Sequence, residues 1–308
     1  MTSGISPFFV LWELEMRNQF ARACFAMAAI FCATTVAAQS TVVFNSIPYP
    51  TPGNVASLGY QCCATSEFGD EIKLAVGTPR HAGYATVLMS SLSLRANYPA
   101  LDNAGYMHPI TLNIYLDAAS AMAHTPVKTV TQNFLIPWRP VADPSCGTAW
   151  KSVDGNCYGG YAFPIVFDLT ALNYTLPEQF IFGVAYNTNT WGYSPLGVPG
   201  PYESLNVGTA NVAGVGVSPS VGIDVNPDVV YWNAQLGGFY TDGGVGGTGT
   251  FRQDTGWTGF QPAVSFTTYA VAQSAEACKN GGWENLVRSD LSPFRNQGLC
   301  VAYVQTGK

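Results

Sequence analysis

Apolar and polar positions alternate with a period of two along much of the chain. Ile110, Leu112, Ile114 and Leu116 are separated by Thr111, Asn113 and Tyr115. Phe163, Ile165, Phe167 and Leu169 repeat the pattern, as do Phe180, Phe182, Val184 and Tyr186. That period turns one face of a strand toward a core and the other away from it. Further strand candidates are 41–44, 72–76, 84–94, 127–136, 229–233 and 263–269, bounded by Gly, Pro, Asn or Asp, the residues that supply turn geometry. No stretch sustains a helical period. The spacing therefore predicts an all-β fold, a two-sheet antiparallel sandwich of jelly-roll-like form, because parallel pairing would need crossover helices. Two stretches, 187–225 and 237–259, break the rhythm with Gly and Pro and are expected to be long loops.

The first forty residues follow a different pattern. Arg17 and Arg22 precede an uncharged run of 14 residues, 23–36, too short for the roughly 18–20 residues that span a bilayer as a helix. Val36, Ala37 and Ala38 then place small side chains before Gln39. This is the layout of a secretory signal peptide. The expected organisation is an N-terminal extension and signal over 1–38, with Met16 as the expected true start. A sandwich domain over 39–269, a linker over 270–277 and a small cysteine-containing segment over 278–308 follow. The product is expected to be secreted, periplasmic or at the cell surface, with no membrane span after cleavage.

Composition narrows the partners. Only 10% of residues are charged, the net charge is −6, and Lys and Arg are scattered, so the basic stripe of a nucleic-acid binder is missing. Hydrophobic residues reach 47%, which excludes wholesale disorder. Six cysteines follow the signal. Cys146 and Cys157 bracket a turn-rich loop and are expected to staple it; Cys278 and Cys300 bracket the last segment and are expected to pair, giving a disulfide-stapled C-terminal appendix. The adjacent Cys62 and Cys63 fit a strained vicinal bridge or one buried and one exposed thiol. Adjacent Cα atoms stand about 3.8 Å apart, below the usual disulfide range. Zinc is not expected, because there is no Cys-x-x-Cys pair and the three histidines are far apart in sequence.

Two blocks carry a resemblance. Ser66-Glu67-Phe68-Gly69-Asp70-Glu71, Asp143-Pro144-Ser145-Cys146-Gly147-Thr148-Ala149-Trp150 and Val198-Pro199-Gly200-Pro201-Tyr202-Glu203-Ser204-Leu205-Asn206-Val207-Gly208 form the first, with Asp224–Asp228 and Asp254–Trp257. Over residues 42–268 the chain resembles a group of exported bacterial β-sandwich proteins of unknown function. Cys278-Lys279-Asn280-Gly281-Gly282-Trp283, with Phe294-Arg295-Asn296-Gln297-Gly298 and Cys300-Val301, resembles a short tail found on assorted secreted bacterial proteins. Neither resemblance implies an activity, and Cys62-Cys63 departs from the group's usual pattern.

Candidate chemistry is sparse. No nucleophile elbow, metalloprotease helix or phosphate-binding loop occurs, and no catalytic residue is assigned. His81, His108 and His124 read as hydrogen-bonded or surface histidines, any one of which could serve as a base. Trp191, Tyr193, Tyr202, Phe239, Tyr240 and Trp257, with Glu203, sit in or beside the long loops among amides and hydroxyls, a mixture suited to sugar faces and hydroxyls. Trp232 lies within a strand and is expected in the core. Glu67, Asp70 and Glu71, with Asp224, Asn226 and Asp228, offer oxygen ligands to calcium, the one cofactor the sequence suggests. The leading expectation is a non-catalytic sandwich that binds carbohydrate or another surface polymer. The alternatives are a structural or surface-assembly protein, and a glycan hydrolase with an unrecognised carboxylate pair among residues such as Glu203 and Asp70.

Overall fold

The computed structural model describes residues 39–308. The signal segment, its cleavage site and Met16 lie outside the described residues. In chain order come β1 (Thr41–Asn45), β2 (Ser57–Gly59), β3 (Thr65–Lys73), β4 (His81–Ser91), β5 (Gly105–Tyr115), helix α1 (Ala118–Met122) and β6 (Lys128–Pro137). A short hairpin, β7 (Trp150–Lys151) and β8 (Cys157–Tyr158), precedes β9 (Tyr161–Asp168) and β10 (Gln179–Ala185). Then follow β11 (Leu205–Gly208), β12 (Asn211–Val212), β13 (Val215–Gly216), β14 (Ile223–Asp224), β15 (Val229–Ala234), β16 (Arg252–Thr255) and β17 (Val264–Tyr269). Helix α2 (Gln297–Thr306) ends the chain.

The expected sandwich is present. In one sheet β4 is central: β9 lies along one edge, while β17 and β11 share the other and are flanked by β1 and β2. In the other sheet β3 holds the same place. It pairs β10 on one edge and β15 and β14 on the other, and β5, β6 and β16 complete the layer. Every pairing within these sheets is antiparallel. Phe44, Phe68, Ile72, Val87, Phe167, Phe180, Phe182 and Phe266 fill the space between the layers. Period-two alternation is what delivers them there: Phe163, Ile165 and Phe167 face inward while Pro164 and Val166 face out.

Three expectations change. The strand expected at 72–76 runs instead over Thr65–Lys73, through carboxylates and a glycine that break its apolar rhythm. Its Gly69 faces Gly183 of β10, where the backbones approach so closely that a Cβ on Gly69 would stand 1.8 Å from the Phe182 carbonyl oxygen. The stretch 187–225 contains β11 to β14, and 237–259 contains β16. Within the second stretch, residues 242–249 wrap the Arg252 guanidinium. That group donates to Asp242 and to the Gly247 carbonyl and lies 3.8 Å from the Tyr240 ring centroid. The glycines make room: a Cβ at Gly246 would meet the guanidinium at 2.9 Å.

Both expected disulfides form, Cys146–Cys157 and Cys278–Cys300. The appendix is not strand-like. It carries helix α2, capped by the Asn296 side chain accepting from the Leu299 N–H. Ala272, Cys278, Phe294 and Cys300 make a cluster separate from the sandwich cores. Among the described residues no helix is long and apolar enough to cross a membrane.

Candidate functional site

The outward face of β4 and β9 carries a hollow of about 840 Å³. Thr86 and Leu88 of β4 and Tyr161, Ala162 and Pro164 of β9 form its floor. One wall is the segment 47–53 and the other is built from Trp138, Trp150, Ser152 and Val153. A second hollow of about 580 Å³, reaching Tyr49, Asn54, Asp154, Asn156 and Tyr158, meets the first along Thr51, Pro52, Ser152 and Val153, which line both. Together they make one groove with aromatic rings at intervals and amides and hydroxyls between.

Its walls are held rigidly. The Cys146–Cys157 bridge closes the loop that carries Trp150, Ser152 and Tyr158. Arg139 ties that loop to the sandwich by donating to the carbonyls of Gly159 and Thr148, at 2.6 and 2.9 Å. The Trp150 indole N–H donates to the Gly160 carbonyl and that of Trp138 to the Asp102 carbonyl. Each ring is thus fixed, with its polar atom already used. Gly53 lets the two walls touch, because a Cβ there would stand 2.6 Å from the Tyr158 ring. Tyr49 is 98% exposed and Val153 is fully exposed. Among the described residues Asp154 is the one carboxylate lining the groove; it accepts from the Tyr158 hydroxyl at 2.7 Å and from the Asn156 N–H. Sequence reasoning passed over Tyr49, Trp138, Trp150 and Tyr161. The disulfide bracketing Trp150 was the signal that this loop is a built surface.

Glu67 lies elsewhere, on the outward face of β3. It is fully buried, yet its carboxylate accepts from the Asn113 amide at 2.9 Å and from the Tyr115 hydroxyl at 3.0 Å. The Tyr193 hydroxyl also donates to it, and His124 Nε2 stands 3.3 Å away. The hydrogen bond to Glu67 raises the His124 pKa above its ordinary value, against the opposing effect of burial. Beside this cluster, Tyr115, Ala121 of α1, Ile181, Tyr231 and Phe251 form a small apolar patch on the same face.

Asp70 points the opposite way, as alternation requires. It is 2% exposed and lines a hollow of about 660 Å³ with Asp224, which pairs opposite Ile72. Burial, then the Asp224 charge, pushes the Asp70 pKa well up, and burial also raises that of Asp224. The Asn226 side-chain oxygen is buried without a hydrogen-bond partner. Sheet pleating thus separates the six calcium candidates. Asp70, Asp224 and Asn226 fall at one edge of the sandwich, and Glu67 and Glu71 on the outer face. Asp228 is exposed, bonded to the Thr258 hydroxyl. Among the described residues no three His, Cys, Asp or Glu side chains group as a metal set.

The aromatic candidates occupy three places. Tyr240 and Trp257 pack around Trp232, with Phe239 at its margin 6.3 Å from the Trp232 ring; the Tyr240 hydroxyl and the Trp257 indole are bonded internally. Trp232 is core, as expected. Tyr202 stacks on His108 at 5.1 Å, near Glu203. Burial lowers the His108 pKa to about 4, so that imidazole is neutral near pH 7. Tyr193 covers Glu67, and Trp191 lies in the same loop, half-buried. None of these seven residues lines the groove. Set against known proteins, the chain matches no family model, no curated protein and no solved structure.

Proposed function

We propose that the chain is an exported, non-catalytic β-sandwich that binds a polysaccharide or similar surface polymer in the groove between residues 47–54 and the stapled loop 146–158. The observation that carries this reading is a fully presented ring, Tyr49, on a polar-edged groove whose lining includes the largely buried rings of Trp138 and Trp150 and the half-buried ring of Tyr161. Sugar C–H faces pack on such rings while hydroxyls bond the flanking amides and hydroxyls. Rings locked in advance lose little entropy when a ligand arrives. Glycoside cleavage needs two carboxylates across the bond, and among the described residues Asp154 alone of the carboxylates lines the groove, which favours binding without cleavage over hydrolysis. Four disulfide-bonded cysteines agree with an oxidising compartment outside the cytoplasm.

Affinity electrophoresis on a panel of soluble polysaccharides tests the reading. At least one should retard the wild-type protein, and Tyr49→Ala should weaken that binding by about tenfold, on the order of 1.4 kcal/mol. No retardation across the panel, or retardation unchanged in both Tyr49→Ala and Asn103→Ala (Asn103 also lines the first hollow), would sink it.

A second ligand is favoured by a specific observation. Two crowded carboxylates, Asp70 and Asp224, lining one hollow at the sandwich edge are what a calcium ion would relieve. Calorimetric titration should show calcium binding that Asp70→Asn and Asp224→Asn both abolish. Binding unchanged in both variants would remove the site.

A further inference from the structure

The turn between β2 and β3 holds two thiols against each other. Cys62 Sγ and Cys63 Sγ are 2.8 Å apart, Cys62 is exposed, and Cys63 packs partly against the sandwich core. The turn is closed by the Thr65 N–H donating to the Tyr60 carbonyl at 3.0 Å, and Ala64 adopts a left-handed backbone with φ 50°. The sulfurs are thus held in contact by a fixed loop. The other four described cysteines are already bridged.

We propose that Cys62 and Cys63 form a reversible redox site, closing to a vicinal disulfide by exchange with a small-molecule or protein disulfide. In the first step the Cys62 thiolate attacks one sulfur of the incoming disulfide. A Cys62 mixed disulfide forms and one thiolate leaves. In the second step Cys63, losing its proton, attacks Cys62 Sγ, and the second thiolate leaves. Two electrons pass to the incoming disulfide, and the two protons released from the cysteines end on its two thiols.

The two sulfurs differ in the sense this order requires. The hydrogen bond from Cys63 lowers the Cys62 pKa and favours its thiolate, while the same bond and burial raise that of Cys63. The exposed thiolate is the nucleophile and the shielded thiol the resolver. Adjacent Cα atoms sit closer than disulfides prefer, so the closed ring is strained and easily reduced. That sets it apart from the Cys146–Cys157 and Cys278–Cys300 bridges, which have Cα separations of 5.5 and 5.7 Å. The adjacent Gln61 amide bonds Thr188 and Thr190, so the thiol turn also holds the loop that brings Tyr193 to Glu67.

The test uses the whole protein with its two long bridges intact. Gentle reduction followed by N-ethylmaleimide should label both Cys62 and Cys63. Prior exposure to excess oxidised glutathione should abolish the labelling and leave the 62–63 peptide two hydrogens lighter, with no glutathione attached. Cys63→Ser should instead accumulate a stable glutathione adduct on Cys62. Phenylarsine oxide, which bridges paired thiols, should protect the reduced wild-type pair from labelling but not the single thiol of Cys63→Ser. A persistent glutathione adduct in the wild type, or full labelling of both thiols after oxidised glutathione, would overturn the proposal.

Discussion

The Glu67 carboxylate lies directly over Gly183 of the neighbouring strand: a Cβ at residue 183 would stand 2.0 Å from Glu67 Oε1. The glycine is the floor on which a fully buried acid rests while two tyrosines, an asparagine and a histidine surround it. Gly183→Ala should therefore push Glu67 off its partners and destabilise the fold by about 3 kcal/mol, through overpacking and loss of buried hydrogen bonds. Urea unfolding of Gly183→Ala, Glu67→Ala and the double variant measures the coupling. The double variant should cost clearly less than the sum of the singles; additive costs would mean that the two residues do not interact.

His124 makes the same cluster pH-sensitive. Its folded pKa is raised by the hydrogen bond to Glu67. The folded state therefore holds a proton more tightly than the unfolded chain. The resulting stabilisation is complete below the ordinary histidine pKa of about 6.5 and is lost as pH rises through the raised value. NMR titration should place the His124 pKa above that of a free histidine, and Glu67→Gln should bring it back down. A His124 pKa unaffected by Glu67→Gln would refute the pairing.

Asp70 contributes with the opposite chemistry and the same sign of slope. Burial and the nearby Asp224 raise its folded pKa. In metal-free solution the native state keeps this proton at pH values where the unfolded chain has lost it. Native stability is therefore drained as pH climbs from about 4 through the raised pKa. Asp70→Asn should remove that slope and gain on the wild type as pH rises over that range. Parallel stability-versus-pH curves in chelator would contradict the placement of this carboxyl.

Some of this was legible in the chain and some was not. The strand through residues 110–115 announces itself because Ile110, Leu112 and Ile114 alternate with Thr111, Asn113 and Tyr115; the stretch 180–184 is apolar throughout and is buried on both faces. The stretch Thr65–Glu71 hides, because its outward face carries a buried acid satisfied by side chains from residues 113, 115, 124 and 193. No local pattern encodes partners that distant. Trp150 and Tyr161 carry no local signal of a groove; the fold sets them, largely or partly buried, along its lining. Likewise the glycines at 243–247 read as a slack loop until Arg252, which gathers the loop around itself, is seen beside them.

The Cys146–Cys157 bridge spans 11 residues, a closure whose removal should cost about 3 kcal/mol of unfolded-state restraint. The Cys146→Ser, Cys157→Ser double variant should remain folded, because the sandwich core does not include that loop. It should nonetheless show increased hydrogen exchange across 146–160 and weaker polymer retardation. Exchange equal to wild type in this segment would show that Arg139 and Trp150 suffice to hold the wall.

The C-terminal segment has its own miniature interior and its own covalent clasp, and shares no residue with the buried clusters of the sandwich. A piece built this way makes few packing demands on whatever precedes it. Melting of this small interior therefore need not open the layers of the sandwich, even though residues 289–291 lie beside residues 170–173.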